Sequence, residues 1–582
     1  MTARALRALA HRRAPWLAAA LAMALSLPSL AKGFLVDDWV HRAMFLRRPG
    51  VWSGSANMFA FAPDLSPTTQ DLAFPWWAAP DLELSFFRPL SGFTHYLDYQ
   101  LWPDSPWLMH LHSVAWYGAA VLATGMMFQR LMGAGWIAGL AALIYGISYT
   151  HAVPVMFIAN RNALVGVTFS ALALMLHHAW RATGNTRAAL AAPAALLLGL
   201  FGNEGAVATL GYLFAYAWLI DRAPLRLRVV SLVPATVVIA LWRVVYSSLG
   251  HGAWGSEAYL DPLASPLRFI QAAIVRAPIL LNAQWLLPPA DFWAAVPWLE
   301  QRWAAAAAIV LVGLAAVLWP LLRRDAPSRF WAIGMLLSIV PACATFPMNR
   351  LLMHVGIGFA AILAQFIAFA TSAECAATTT RVRRLATRIT VDVLVATHLI
   401  LTWVWFPGLM QIVAGSFRAS TQGVEQLAQR PDLAGRIVVL VDDVLGSGAY
   451  FPAFRDLSGL PPPAQVLVLS PAIERTAPLV MTRESARTLV VEHRADYPWF
   501  LERDDLHPFS PGDRVQRDSV SVEVRSVRDG KPVIVAFHFD RALEDPSIAW
   551  FGRFEPPFAL FPRAGHYPEW TPPAVGRTVA AK

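Results

Sequence analysis

Charge and cysteine are both scarce in this sequence. Of 582 residues only 15% are charged, while 56% are hydrophobic; a soluble domain carries about a quarter charged residues. Mean hydropathy is +0.46. The shortage of charge excludes an ordinary soluble globular protein and implies an integral membrane protein. The two cysteines, Cys343 and Cys375, exclude a disulfide framework, and no Cys/His spacing suits a zinc site. No internal repeat with a period of roughly 20–50 residues is visible, which excludes a solenoid. Acids are fewer than bases (38 against 47), for a formal net charge of +9. On a soluble chain that excess would suggest a nucleic-acid face. Here the bases fall in short loops between apolar runs, so topology accounts for them and no nucleic-acid partner is expected.

Long apolar runs and tryptophan (24 residues) are what the chain has instead. A bilayer core takes about 20 apolar residues per helix. Runs of that kind lie at about 14–35, 107–129, 134–150, 161–180, 188–202, 205–220, 228–249, 302–321, 330–346, 351–371 and 389–408, eleven in all. A further stretch, 268–288, is interrupted by Arg276 and Pro278. The basic stretches Arg4–Arg13, Arg181–Arg187, Arg222–Arg228, Arg323–Arg329 and Arg381–Arg388 all stay cytoplasmic if the N-terminus is inside and 268–288 is re-entrant or lies on the outer surface. This places Cys343 and Cys375 on opposite faces, which excludes even one bridge. The N-terminal run also has the form of a secretory signal, ending in "SLPSLAKG"; its removal would leave the remaining orientation unchanged.

The outer face then holds a long first loop (36–106), short links near 151–160, 203–204 and 347–350, a loop at 250–301, and the polar, Pro-rich tail. In the tail, "SVSVEVRSV" puts Val520, Val522 and Val524 on one face, and "KPVIVAFHF" does so with Val533, Val535, Phe537 and Phe539. Arg528-Asp529-Gly530 joins them as a hairpin turn. "RIVVLV", "AQVLVLS" and "ARTLVVE" read as further strands. The predicted architecture is an α-helical polytopic membrane domain over 1–410 with about 11 transmembrane helices, a linker at 411–429, and an extracytoplasmic, mostly-β domain over 430–575.

Ionisable residues near membrane spans are costly, so their placement is informative. Asp37 and Asp38 follow the first run; His151, Asn160 and Arg161 link the third and fourth; Glu204 lies between the fifth and sixth; Arg350 opens the tenth; Arg88 and Asp98 lie in the long loop. All share the outer depth. Acids and bases there suit sugar transfer from a lipid carrier. A carboxylate accepts the proton of an attacking hydroxyl, fixed cations stabilise the leaving phosphate, and the sugar passes through an oxocarbenium-like state.

The motifs resemble the GT-C superfamily of polyprenyl-phosphate-sugar glycosyltransferases, closest to the membrane region of tetratricopeptide-containing O-mannosyltransferases and their bacterial relatives. The likeness is carried in order by the Asp37-Asp38 pair, "FFRPLSGFTHYLDYQLW", "PWLMHLH", "YTHAVPVMFIANRNALVG", "GNEGAV" and "MNRLLMHVGIG", across roughly residues 30–370. Three positions depart from it: Ala163 where an acid is expected, Asn203 where Lys is common, and Ser113 in place of Asn. No tetratricopeptide repeats follow. The resemblance implies a GT-C-like fold and an inverting transfer from a polyprenyl-phosphate-linked sugar to a glycan, lipid or protein acceptor. It implies a base within Asp37/Asp38, with Arg88, His151, Arg161, Glu204 and Arg350 contacting substrate. Mg²⁺ or Mn²⁺ at the acidic pair is the metal it allows. The setting it implies is a bacterial inner membrane, with the N-terminus cytoplasmic and the C-terminal domain outside. A glycolipid transporter or flippase and a non-catalytic membrane scaffold with a binding β-domain are the alternatives.

The tetrapeptide LVDD occurs twice, at 35–38 and at 440–443. The second copy, "VVLVDDVLGSGAY", is similar to the ribose-phosphate loop of phosphoribosyltransferases. It departs at Gly446 and Tyr450, and its flanks lack a visible alternation of strands and helices. It reads as a strand followed by an Asp-rich turn.

Overall fold

The computed structural model describes residues 3–46, 58–62, 72–256, 258–295, 299–378, 380–443, 446–471, 479–493, 501–503, 506–553 and 566–581. They form two compact units. The first comprises Met1–Gly33, Phe87–Gly250 and Asp261–Gln411; the second comprises Phe34–Phe86, His251–Leu260 and Ile412–Lys582.

The first unit is helical and polytopic. Seven helical segments among the described residues are long and apolar enough to cross a membrane: Ala14–Ala31, Pro106–Met132, Ile158–Thr183, Leu225–Ser248, Glu300–Leu322, Met353–Ala370 and Arg381–Ala428. Trp136–Gly146 and Tyr149–Met156, bent by 41°, make an eighth if they act as one broken span. Helix is also present at the other predicted runs, in shorter pieces. Thr186–Gly202 and Ala326–Ala342 have 17 residues each, and 205–220 divides into a 3-10 turn and the helix Thr209–Leu219. Pro266–Trp285 is one continuous helix with Pro278 inside it. Apolar side chains such as Leu190, Val244, Ile309 and Val312 face outward, as lipid contact requires.

Small residues bring helices Arg161–Thr183 and Thr186–Gly202 together. A Cβ on Gly202 would lie 2.9 Å from the Gly166 backbone nitrogen, so only glycine permits this approach. The turn after Gly202 is thereby held against the other helix, and it carries Asn203 and Glu204.

The second unit contains three sheets. Its strands are β1 (Ala60–Ala62), β2 (Glu83–Ser85), β3 (Gly252–Trp254), β4 (Ile437–Asp443), β5 (Gln465–Pro471), β6 (Leu479–Arg483), β7 (Thr488–Glu492), β8 (Arg514–Gln516), β9 (Val520–Arg528), β10 (Lys531–Phe539), β11 (Ile548–Phe551) and β12 (Thr578–Ala581). The sheet orders are β1-β2-β3, β12-β6-β7-β10-β9-β8 and β11-β4-β5. The six-stranded sheet is antiparallel. The β11-β4-β5 sheet is parallel.

The predicted hairpin is β9–β10, with Asp529 (φ 51) and Gly530 (φ 77) as its two turn residues. Two consecutive left-handed residues give the turn whose twist matches paired strands. Val520, Val522, Val524, Val535, Phe537 and Phe539 are buried as the alternation requires. Val533 is only partly buried, because a register shift between Pro532 and Val535 breaks the period-two pattern there.

Three sequence expectations need adjustment. Residues 411–428, expected as a linker, are helical: they end a helix that runs from Thr402 to Ala428. The long first loop divides: Phe34–Phe86 belongs with the tail and only Phe87 onward with the helices. Leu72, Trp76 and Trp77 enter the same buried cluster as β4, β5, β9 and β10, so apolar residues of an early loop complete a late core. The second LVDD also sits in a strand–helix–strand unit, β4 – Phe451–Leu457 – β5, that the sequence did not reveal. Its helix has seven residues, too few to display a helical period.

Candidate functional site

In the second unit the first LVDD forms a strained turn into a helix. Val36 has φ 30, a costly conformation for a β-branched residue and one found where surroundings over-determine the backbone. The helix Asp37–Leu46 begins directly after it. Asp38, 1% exposed, reaches back so that its Oδ2 accepts the Leu35 N–H at 2.9 Å. This local side-chain-to-backbone bond spans the residues just before the helix and fixes the loop holding Val36. Asp37 is used differently: its Oδ1 accepts the hydroxyl of Tyr450 at 2.7 Å.

Tyr450 comes from the second LVDD loop. There Asp442 Oδ2 accepts Arg553 Nε at 2.8 Å, and Asp443 Oδ2 accepts the Gly448 N–H at 3.0 Å. Gly446 turns the chain at φ 73. Burial, then Asp37, Asp443 and Asp38, hold the Tyr450 phenol well above its ordinary range, so it is a donor. Trp39, between Phe34 (5.2 Å) and Phe454 (5.5 Å), packs helix Asp37–Leu46 onto helix Phe451–Leu457. The two LVDD copies thus meet in one unit.

The other expected site residues lie in the first unit. Arg88 and Glu204, 116 positions apart, form an ion pair at 2.8 Å. Tyr246 lies within their field and that of a second pair, Arg243–Asp261. Asn203 caps the turn beneath Glu204: its Oδ1 accepts the Gly205 N–H at 2.7 Å and its Nδ2 donates to Asn162 at 2.5 Å. The residue standing in the place of Lys therefore shapes this turn.

Arg161 is fully buried. It pairs with Asp98 at 2.5 Å and donates to Met109 O at 2.8 Å and Ser113 Oγ at 3.0 Å. A guanidinium so engaged ties helix Pro106–Met132 and the loop helix Pro89–Leu101 to its own helix; phosphate contact is not its visible task. Ser113, another departure, belongs to that shell. His151 is likewise buried, 4.6 Å from the Tyr145 ring and 3.2 Å from the Tyr117 hydroxyl. Arg350 lies over Phe346 at 6.0 Å. It also partly offsets the burial that raises the Asp291 carboxyl to about 6.

The structure therefore joins Arg88 to Glu204 and Asp37 to Tyr450, and it encloses Arg161 and His151. Tyr450, Asp443, Asp98 (as the partner of Arg161) and Asp291 were not predicted as site residues. For Tyr450 the only sequence signal was a bulky residue in a small-residue turn. Among the described residues no group of three or more His, Cys, Asp or Glu side chains is placed to hold a metal ion.

No family model and no curated protein matches the chain. Among solved structures it is similar to ArnT from Cupriavidus metallidurans in the apo state, with 14% identity, a TM-score of 0.40, and coverage of 77% of this chain and 89% of that one. It is also similar to the Archaeoglobus fulgidus oligosaccharyltransferase tethered to an acceptor peptide, with 10% identity, a TM-score of 0.37 and coverage of 79% and 64%. The oligosaccharyltransferase AglB from that organism, in complex with an inhibitory peptide and a dolichol-phosphate, matches at 10% identity and a TM-score of 0.38 over 77% and 64%. The chain thus spans less than two thirds of the archaeal proteins it matches. At these values the functional reading rests on the chain's own residues.

Proposed function

We propose that the protein is an inverting glycosyltransferase of GT-C type that moves a sugar from a polyprenyl-phosphate carrier to a hydroxyl acceptor at the outer face of a bacterial inner membrane. One observation carries the reading: the acidic pair after the first apolar helix sits on a strained turn, with Asp38 spent on the backbone and Asp37 held by a phenol. That division selects Asp37 as the base. Its carboxylate takes the proton from the acceptor hydroxyl as the oxygen attacks the anomeric carbon. The bond between that carbon and the phosphate oxygen breaks, and the phosphate leaves with the electron pair. Attack from the side opposite the phosphate inverts the anomeric centre.

The leaving phosphate calls for cations. Arg161 is committed to Asp98, so Arg88, steadied by Glu204, and Arg350 are the proposed contacts. The acidic pair falls short of an all-protein divalent site. A Mg²⁺ or Mn²⁺ ion there would take most of its ligands from water and phosphate, and no step above depends on one.

The test is a profile of lipid-linked sugars and surface glycans in cells lacking the protein. The expected result is accumulation of one polyprenyl-phosphate sugar and loss of one glycan modification. Both are restored by the wild-type gene and not by Asp37→Asn. Unchanged profiles would refute the reading.

A further inference from the structure

We infer that the second LVDD segment is a support for the first, and that Tyr450 is a positioning residue that fixes the direction of the Asp37 carboxylate through its hydroxyl hydrogen bond; this rests on the glycosyltransferase reading for its consequence in catalysis. The segment's own acids are consumed locally. Asp442 takes Arg553, and Asp443 takes the Gly448 N–H. A phosphate-binding turn needs its N–H groups directed at the ligand, whereas here a carboxylate of the same segment already occupies one of them. A Cβ on Gly448 would stand 3.2 Å from Asp443 Oδ2, so the turn is closed tightly on its own aspartate.

The closed turn leads into helix Phe451–Leu457, with Tyr450 immediately before it. Phe454, one turn along from Tyr450, meets Trp39, two residues on from Asp37, at 5.5 Å. The same packing contact therefore sets the distance of the Tyr450 hydroxyl from Asp37. A hydrogen bond from a neutral donor favours the charged form of a carboxylate and fixes one of its oxygens. Asp443 acts through Tyr450 by holding the turn, and Tyr450 acts through Asp37. Neither is assigned contact with substrate.

The experiment uses the full-length protein in lipid nanodiscs with synthetic polyprenyl-phosphate mannose, glucose, galactose and arabinose as donor probes. Wild type, Tyr450→Phe and Asp37→Asn are compared across pH. For Tyr450→Phe the expected result is an unchanged KM for donor, a kcat near pH 7 lowered about tenfold, and an acidic limb of the rate profile displaced upward by about one pH unit. A purely structural effect would lower the amount of active protein without moving that limb, and this outcome would overturn the inference. A second measurement needs no substrate: pH-difference infrared spectra of ¹³C-aspartate-labelled protein, in which the Asp37 band is identified by its absence in Asp37→Asn. That band should titrate about one pH unit higher in Tyr450→Phe; identical titration in both proteins overturns the inference. If no probe is turned over, or if Asp37→Asn turns over donor at the wild-type rate, the glycosyltransferase reading fails, and the infrared comparison still decides the role of Tyr450.

Discussion

Tyr450 donates its hydroxyl hydrogen to Asp37 across 2.7 Å and 413 residues of sequence. The contact joins the two LVDD copies, and it separates two carboxylates that adjacent positions alone make equivalent. Asp38 turns back to the Leu35 N–H, while Asp37 faces a phenol brought by the tail.

Arg161 separates a structural role from a phosphate-binding one. Its ion pair with Asp98 is fully buried, so Arg161→Ala leaves a buried carboxylate without its cation, at an expected cost of about 3–5 kcal/mol. Asp98→Asn combined with Arg161→Met removes both charges and should recover much of that loss. Thermal unfolding in detergent checks both. A stable Arg161→Ala protein with impaired donor binding would contradict the assignment.

Arg88 and Glu204 are less buried, with side-chain exposures of 16% and 24%. Arg88→Ala should raise KM for donor about tenfold, equivalent to about 1.4 kcal/mol, with little loss of stability. Glu204→Gln should give a smaller increase, and the double variant should be less than additive because the two side chains touch. Steady-state kinetics on the four proteins tests this.

Much of this was legible in advance. Each of the eleven apolar runs contains helix, alternation located β9 and β10, and short apolar runs located β4, β5 and β7. Hydropathy did not show which runs stay short: Pro341 lies inside the 17-residue helix Ala326–Ala342. The site was legible only as residue types at one depth. That Arg161 is enclosed depends on Asp98 and Ser113 arriving from other elements, and such partners have no local period. Tyr450 was unreadable for the same reason: its meaning lies in a contact 413 positions away. The assignment of residues 34–86 to the tail's unit was equally hidden, because the sheet residues that bury Trp76 and Trp77 lie hundreds of positions away.

Asp456 gives the second unit a pH signature. Its carboxyl, buried in helix Phe451–Leu457, is raised by that burial from 3.8 to about 7. The folded state therefore holds a proton that the unfolded state has lost between about pH 4 and 7, and stability falls as pH rises through that window. His493 works in the opposite direction. Burial lowers it to about 3, so its contribution is lost as pH falls below about 6.5. Asp456→Asn should stabilise the protein at pH 8, by on the order of 2 kcal/mol, and leave it nearly unchanged at pH 4. Unfolding curves at the two pH values test the sign.

The most direct test is sugar transfer by Asp37→Asn beside Asp38→Asn, measured on equal amounts of folded protein. Asp37→Asn should lower kcat by about 10²–10⁴-fold with donor binding retained. Asp38→Asn keeps an acceptor for the Leu35 N–H and should retain most activity, with a stability loss of about 1 kcal/mol or less. Wild-type rates in Asp37→Asn would contradict the account.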